Sequence, residues 1–140
     1  MSAAQTHQRD ALLEQLRSLV GRRYVLTGEQ QTRRFRKGHR TGEGQVLAVI
    51  QPGTLLEQWQ VLRAAVAADC IVIMQAANTG LTGGSTPDGD NYDRDIVLIS
   101  TRRLDGVQLI NQGEQVVCLP GATLDRLERE RRGLPSSLES

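Results

Sequence analysis

Met74-Gln-Ala-Ala-Asn-Thr-Gly-Leu-Thr-Gly-Gly-Ser-Thr-Pro87 is a glycine-rich stretch without a charged side chain, and it follows the apolar run Cys70–Met74. That run is short and rich in β-branched residues, which predicts a buried strand. Glycines at 80, 83 and 84 can adopt positive φ and let an anion approach the main chain. The composition therefore indicates a loop whose N–H groups bind phosphate. An ordinary glycine-rich connection between strands remains open on composition alone.

Two well-known phosphate loops do not fit this stretch. A Walker A loop requires a lysine after its last glycine, and Gly84 is followed by Ser85. A Rossmann fingerprint opens a helix, whereas Asp88–Asp95 is typical of a turn and leads into another strand-like run, Ile96–Ser100. The aspartates of that turn do not form an EF-hand loop, because Ile99 stands where its final glutamate is needed. The order is strand, loop, turn, strand, so a bound phosphate would rely on loop amides.

The residues before the loop predict a small α/β unit. Val46–Ile50 reads as a buried strand, and a capping box at Thr54–Glu57 opens a helix that runs to about Ala67. Apolar residues repeat with the helical period at Leu55, Trp59, Leu62 and Val66. Strand, helix and strand in this spacing predict a βαβ unit with parallel strands. The loop then leaves the carboxyl end of the second strand, where α/β sheets bind ligands.

Further elements extend this unit on both sides. Leucines at helical spacing predict a helix over Asp10–Val20, and a capping box at Thr27–Gln30 predicts a second, short helix that ends before Gly38. Downstream, two apolar runs predict a hairpin, and Thr123 is the expected N-cap of a following helix. The runs of the hairpin are Val107–Asn111 and Gln115–Leu119.

Composition predicts one soluble domain, and the predicted helices and strands place it in the α/β (α+β) class. The 140 residues are 39% hydrophobic and 24% charged, with a formal net charge of +1. That charge gives no reason to expect nucleic-acid or membrane binding, and without a leader or a long apolar run we expect a cytoplasmic protein. We expect no metal site and no functional cysteine, because histidines and cysteines lack ligand spacing. These residues are His7, His39, Cys70 and Cys118.

The most basic tract is Arg33-Arg-Phe-Arg-Lys-Gly-His-Arg40. Such a tract with an aromatic residue can contact phosphate backbones or acidic lipid. More often it is a solvated helix end, where cations interact favourably with the helix dipole. The near-neutral charge of the whole chain argues against a nucleic-acid-binding protein, and the sequence assigns the tract no role.

Gln75–Ser85 resembles the pyrophosphate-binding loop of flavoproteins with the PCMH-type, vanillyl-alcohol-oxidase-like FAD-binding domain. Their usual pattern is Arg-Gly-x-Gly-Thr-Gly-Leu-Ser-Gly-Gly-Ala. Here Gln75 stands in place of the arginine, and Ala76 and Asn78 in place of glycines. These departures are typical of the respiratory, quinone-linked branch that oxidises D-lactate, which Met74–Thr101 resembles closely. The resemblance runs from about Asp10 to Leu127.

The resemblance implies a cofactor, a reaction and a domain. FAD would bind non-covalently and accept a hydride from D-lactate, giving pyruvate, before electrons pass to quinone. The chain would be an N-terminal fragment of the enzyme, with the FAD-binding part at 1–127 and a polar, disordered tail at 128–140. The pyrophosphate would be held by Ala76, Ala77, Asn78, Thr79, Gly80, Gly84 and Ser85.

Catalytic residues are not expected within this chain, so we predict that it is inactive alone. The full-length enzyme would be peripheral on the cytoplasmic face of the inner membrane, through regions outside this chain. Two other classes remain open from the sequence. One is a stand-alone nucleotide-binding module without catalysis, and the other is a nucleic-acid-binding protein that uses Arg33–Arg40.

Overall fold

Four strands form the mixed sheet that carries the glycine-rich loop. The computed structural model describes residues 2–38 and 44–133. The strands are β1 (Val25–Leu26), β2 (Ala48–Ile50), β3 (Ile71–Gln75) and β4 (Ile96–Ser100). Across the sheet they lie in the order β1, β2, β4, β3. Strands β2 and β3 both run parallel to β4, and β1 is antiparallel to β2.

Four helices and a separate hairpin complete the described chain. The helices are α1 (Ala3–Val20), α2 (Glu29–Arg36), α3 (Leu55–Ala67) and α4 (Leu124–Arg132). Strands β5 (Val107–Ile110) and β6 (Gln115–Cys118) pair antiparallel, which confirms the predicted hairpin. The predicted α/β class is likewise confirmed.

The predicted βαβ unit is present, but its two strands are not neighbours. β4 lies between β2 and β3 and pairs with both in parallel. All five residues of β4 are buried, so the most apolar strand takes the centre of the sheet. β3 is consequently an edge strand with Met74 41% exposed, and the prediction that Cys70–Met74 is fully buried is wrong.

The core lies on both faces of the sheet because side chains alternate along each strand. Ile50, Val97 and Ile99 pack on the face covered by α1 and α3. Val49 and Leu98 point to the opposite face and pack against Phe35 of α2. Helices therefore cover both faces of the central strands.

The predicted apolar stripe of α3 faces solvent. Leu55, Trp59, Leu62 and Val66 are all exposed, and the buried side of the helix is formed by Val61, Ala64 and Ala65. Small residues on that side allow α3 to pack closely against the leucines of α1. The helix was thus predicted correctly, but its buried face was not.

Three helix starts can be compared with their predicted caps. The side chains of Thr54 and Thr123 accept hydrogen bonds from backbone N–H groups three residues on, at 3.1 Å each, which confirms both N-caps. The capping box predicted at Thr54 is only half formed, because Glu57 accepts from the N–H of Gly53 at 2.6 Å rather than from that of Thr54. The N-cap of α2 is Gly28 rather than Thr27, since Gln31 reaches back to the N–H of Gly28. α4 continues across the division proposed after residue 127, and residues 134–140 of the predicted tail lie outside the described part of the chain.

Candidate functional site

Gln75 fixes the start of the loop at the carboxyl end of β3. Its side chain is 2% exposed, and its Nε2 donates to the carbonyl oxygens of Phe35 at 2.7 Å and Ser85 at 2.9 Å. One amide therefore joins the beginning of the loop both to α2 and to the loop's own far end. The backbone on either side of the glycines is held in a defined position.

Asn78 is the second attachment point of the loop. Its Nδ2 donates to the carbonyl oxygen of Lys37 at 2.9 Å, and its Oδ1 accepts from the hydroxyl of Ser85 at 3.1 Å. Its φ of 56° lies in the left-handed region, which asparagine tolerates better than most residues. The side chains of Asn78 and Ser85 are thus used within the protein, and so is the carbonyl of Ser85, which leaves the backbone N–H groups of these residues as the groups to meet a ligand.

The remaining predicted site residues are open to solvent. Ala76, Ala77, Thr79, Gly80 and Gly84 are exposed. A Cβ added to Gly80 would meet nothing within 4 Å, and one added to Gly84 would meet only the hydroxyl of Thr82 at 3.9 Å. Neither glycine has positive φ, so neither packing nor backbone strain in the chain itself requires glycine there. The free space beside them suits the close approach of a ligand to the main chain.

An open pocket of about 620 Å³ lies against the first three residues of the loop. Its wall combines Ala76, Ala77 and Asn78 with the end of α2 and with the turn that follows β4. It also contains four cationic side chains, which are Arg33, Arg34, Lys37 and Arg102. The described part of the basic tract is therefore next to the glycine-rich loop, a proximity that the sequence did not reveal.

The charges of this pocket are not neutralised by any residue that the structure describes. Among these residues no carboxylate lines the pocket and none of the four cations forms an ion pair; Arg34 lies 4.6 Å from the centroid of the Phe35 ring. Elsewhere most arginines are paired, as Arg9 is with Asp95 through bonds of 2.7 and 2.6 Å. The pocket is therefore a favourable place for an anion. The only sequence signal for it was the run of cations itself.

A second pocket, of about 800 Å³, lies at the other end of the strands. Its wall includes Asp95 and Cys70, which directly precede β4 and β3, and it carries charges of both signs. Burial, followed by the neighbouring Asp95 and Asp69, raises the pKa of the Cys70 thiol. None of the predicted cofactor-binding residues lines this pocket.

The described residues show neither a metal-binding cluster nor a membrane-spanning helix. No group of three or more histidine, cysteine, aspartate or glutamate side chains there is arranged to hold a metal ion. Among these residues there is also no helix with the length and hydropathy needed to cross a bilayer.

Comparison with solved structures identifies the fold. Alkyldihydroxyacetonephosphate synthase superposes with a TM-score of 0.76 over 88% of this chain at 13% identity, and p-cresol methylhydroxylase with 0.72 over 90% at 13%. 4-Ethylphenol oxidase from Gulosibacter chungangensis gives 0.70 over 94% at 24% identity. The chain covers 24% to 25% of these three structures. Its fold is that of the PCMH-type, vanillyl-alcohol-oxidase-like FAD-binding domain.

Within that class, the chain is similar in sequence to quinone-dependent D-lactate dehydrogenases. It is 56% identical over 119 residues to the enzyme of Haemophilus influenzae and 53% identical over 134 residues to that of Escherichia coli. These matches cover 85% and 96% of this chain but only 21% and 24% of the two enzymes. No protein-family model matches the chain. The resemblance inferred from the loop is thereby confirmed, for a chain that spans about a quarter or less of these relatives.

Proposed function

We propose that this chain is the phosphate-binding part of the FAD-binding domain of a flavoprotein that oxidises D-lactate to pyruvate and passes the electrons to quinone. The observation that carries the proposal is the identity of 53% to 56% with quinone-dependent D-lactate dehydrogenases over most of this chain. The fold and the open loop beside a cationic pocket are what a diphosphate-containing cofactor requires.

The proposed cofactor is FAD, held by hydrogen bonds rather than by a covalent link. Backbone N–H groups of residues 76–80, with those of Gly84 and Ser85, would bind its pyrophosphate. The rigid attachments of Gln75 and Asn78 to α2 would keep these groups in place before the cofactor arrives. The flavin would supply the redox chemistry, while the residues described here bind and orient its phosphates.

We further propose that the chain alone does not oxidise lactate. Among the residues that the structure describes, the wall of the pocket contains no histidine and no carboxylate that could accept the proton of the lactate hydroxyl. Substrate binding, quinone reduction and any peripheral contact with the cytoplasmic face of the membrane would belong to parts of the longer relatives. Dye reduction that depends on D-lactate, catalysed by the purified chain with FAD, would contradict this proposal.

Isothermal titration of the purified chain with FAD, ADP and riboflavin tests the cofactor assignment. We expect FAD and ADP to bind competitively and riboflavin, which has no phosphate, not to bind. A folded chain, verified by circular dichroism, that binds neither FAD nor ADP would refute it.

A glycine substitution makes the same test specific to the loop. Gly80→Ala adds a Cβ where the protein has room, so we expect unchanged folding and weaker FAD binding. Gly133→Ala at the end of α4 is the matched control, because its Cβ would make only ordinary contacts of 3.5 and 3.9 Å. Equal FAD affinity of both variants would show that the ligand does not approach Gly80.

A further inference from the structure

We propose that Arg33, Arg34, Lys37 and Arg102 form a cationic surface that selects diphosphate ligands and binds them together with the backbone of residues 76–78. This inference rests on the proposed function and extends it to residues outside the glycine-rich loop. It assigns a role to the basic tract, which neither the motif nor the comparisons with known proteins provide.

The cations and the loop are one structural unit. Two hydrogen bonds join them, from Gln75 to the carbonyl of Phe35 and from Asn78 to the carbonyl of Lys37. Arg36, between these positions, is buried and donates to Thr32 Oγ1 at 3.0 Å and to the carbonyl oxygens of Glu29 and Gly44 at 3.2 and 3.4 Å. Only the bond to Gly44 leaves α2, so the backbone that carries the neighbouring cations is held to the loop by the bonds from Gln75 and Asn78.

A solvated helix end would not produce this arrangement. Cations at such an end point into water from a single element, whereas here Arg102, in the turn after β4, lines the same pocket as side chains of α2. No carboxylate lies in the described part of the pocket wall, and since the whole chain has a net charge of +1, the rest of it is net negative. Positive charge is therefore concentrated where the loop amides are open.

The chemistry of the cations indicates which anion they bind. Arginine presents a planar fork of N–H donors that matches phosphate oxygens in pairs, and lysine adds a mobile point charge. Three arginines and one lysine beside loop amides suit two adjacent phosphate groups better than one. Ligands should therefore rank as diphosphates first and then monophosphates, while nucleosides and riboflavin, which carry no phosphate, should not bind.

Inorganic pyrophosphate is the probe that tests this surface without involving a flavin. In ¹H–¹⁵N NMR spectra of the purified chain, we expect pyrophosphate to shift the amides of residues 76–78, more strongly than phosphate at equal concentration. Arg33→Gln, Lys37→Gln and Arg102→Gln should each weaken pyrophosphate and ADP binding by about three- to tenfold. The matched control is Arg23→Gln, which removes the same charge from an exposed arginine outside the pocket.

The outcomes separate this inference from the proposed function. If FAD binds but the three pocket variants bind pyrophosphate and ADP as tightly as Arg23→Gln does, the cationic surface is refuted and the cofactor assignment stands. If pyrophosphate shifts the amides in a charge-dependent way but FAD does not bind, the surface stands and the cofactor assignment fails. A single-stranded oligonucleotide that shifts the same amides at lower concentration than ADP would overturn the inference in favour of nucleic-acid binding.

Discussion

Gln75 shows how one buried side chain can prepare a binding loop. In the usual family pattern an arginine occupies this position, and here a neutral amide meets two carbonyl oxygens instead. Both acceptors belong to segments that form the candidate site, so the side chain determines where α2 and the far end of the loop lie. A charged side chain would not be needed for this purpose, because both partners are neutral.

Gln75→Ala should destabilise the protein and impair binding together. The substitution leaves the buried carbonyl of Phe35 and the partly buried carbonyl of Ser85 without their donor, which should lower the free energy of unfolding by about 2 kcal/mol. Urea denaturation measures that loss, with Gln108→Ala on the exposed face of β5 as the control. An unchanged denaturation midpoint would show that water or another donor satisfies the same carbonyls.

The two cysteines should differ in reactivity. Cys118 is exposed, whereas Cys70 is partly buried and its pKa is raised by desolvation and by Asp95 and Asp69. At pH 7.5 a disulfide reagent should therefore modify Cys118 first. A raised pKa leaves less thiolate at neutral pH. The rate at which the reagent modifies Cys70 should therefore still increase at pH values where a thiol with an ordinary pKa is already ionised. Equal rates at both cysteines, followed by mass spectrometry of the labelled peptides, would contradict this assignment.

Helix α3 has two apolar faces, and the sequence pattern could not distinguish between them. Leu55, Trp59, Leu62 and Val66 follow the helical period, yet the buried stripe is Val61, Ala64 and Ala65. The sequence pattern predicts that the large apolar side chains are the buried ones, because they contribute most to hydrophobic periodicity. At this interface, however, α1 supplies the large leucines, and the space left for α3 suits alanine.

A pair of identical substitutions tests which face carries the core. Val61→Ala removes two methyl groups from a fully buried position, and we expect a loss of about 1 to 2.5 kcal/mol of unfolding free energy. Val66→Ala makes the same change at a side chain that is 63% exposed, and should cost no more than about 0.5 kcal/mol. Chemical denaturation of both variants measures these losses. A larger loss of unfolding free energy for Val66→Ala than for Val61→Ala would show that the face predicted from the sequence is the buried one.

The sequence predicts individual helices, strands and caps, but it does not predict how these elements are arranged relative to one another. Residues close in sequence are enough to predict the hairpin, the caps at Thr54 and Thr123, and the strand before the loop. The insertion of β4 between β2 and β3 does not, because strand order depends on contacts across about 50 residues of chain. The cationic pocket was missed for the same reason, since Arg102 and α2 meet only in the folded protein.

At the scale of the molecule, the described chain consists of the helix-covered sheet and an attached unit made of the β5–β6 hairpin and α4. The two meet at the turn after β4, where the N–H of Gly121 donates to the carbonyl of Leu104 at 2.7 Å and Thr101 Oγ1 donates to the carbonyl of Pro120 at 3.3 Å. Leu104 is 1% exposed and fixes the turn in the interior. Arg102 lies in the same turn, so the attachment of the hairpin also positions one wall of the pocket.

Gly121→Ala should detach this unit while leaving the sheet folded. A Cβ at Gly121 would overlap the carbonyl oxygen of Thr101 and approach that of Leu104 to 2.9 Å, and both are backbone atoms that cannot rotate away. We expect hydrogen exchange across residues 107–132 to accelerate at least tenfold, while the amides of β2 and β4 stay protected. Gly133→Ala, which meets only ordinary contacts, is the control. Because Arg102 would move with the turn, the affinity for pyrophosphate should fall in Gly121→Ala even though the glycine-rich loop itself is unchanged. If hydrogen exchange accelerated equally in β2 and β4, the hairpin and the sheet would instead unfold as one cooperative unit.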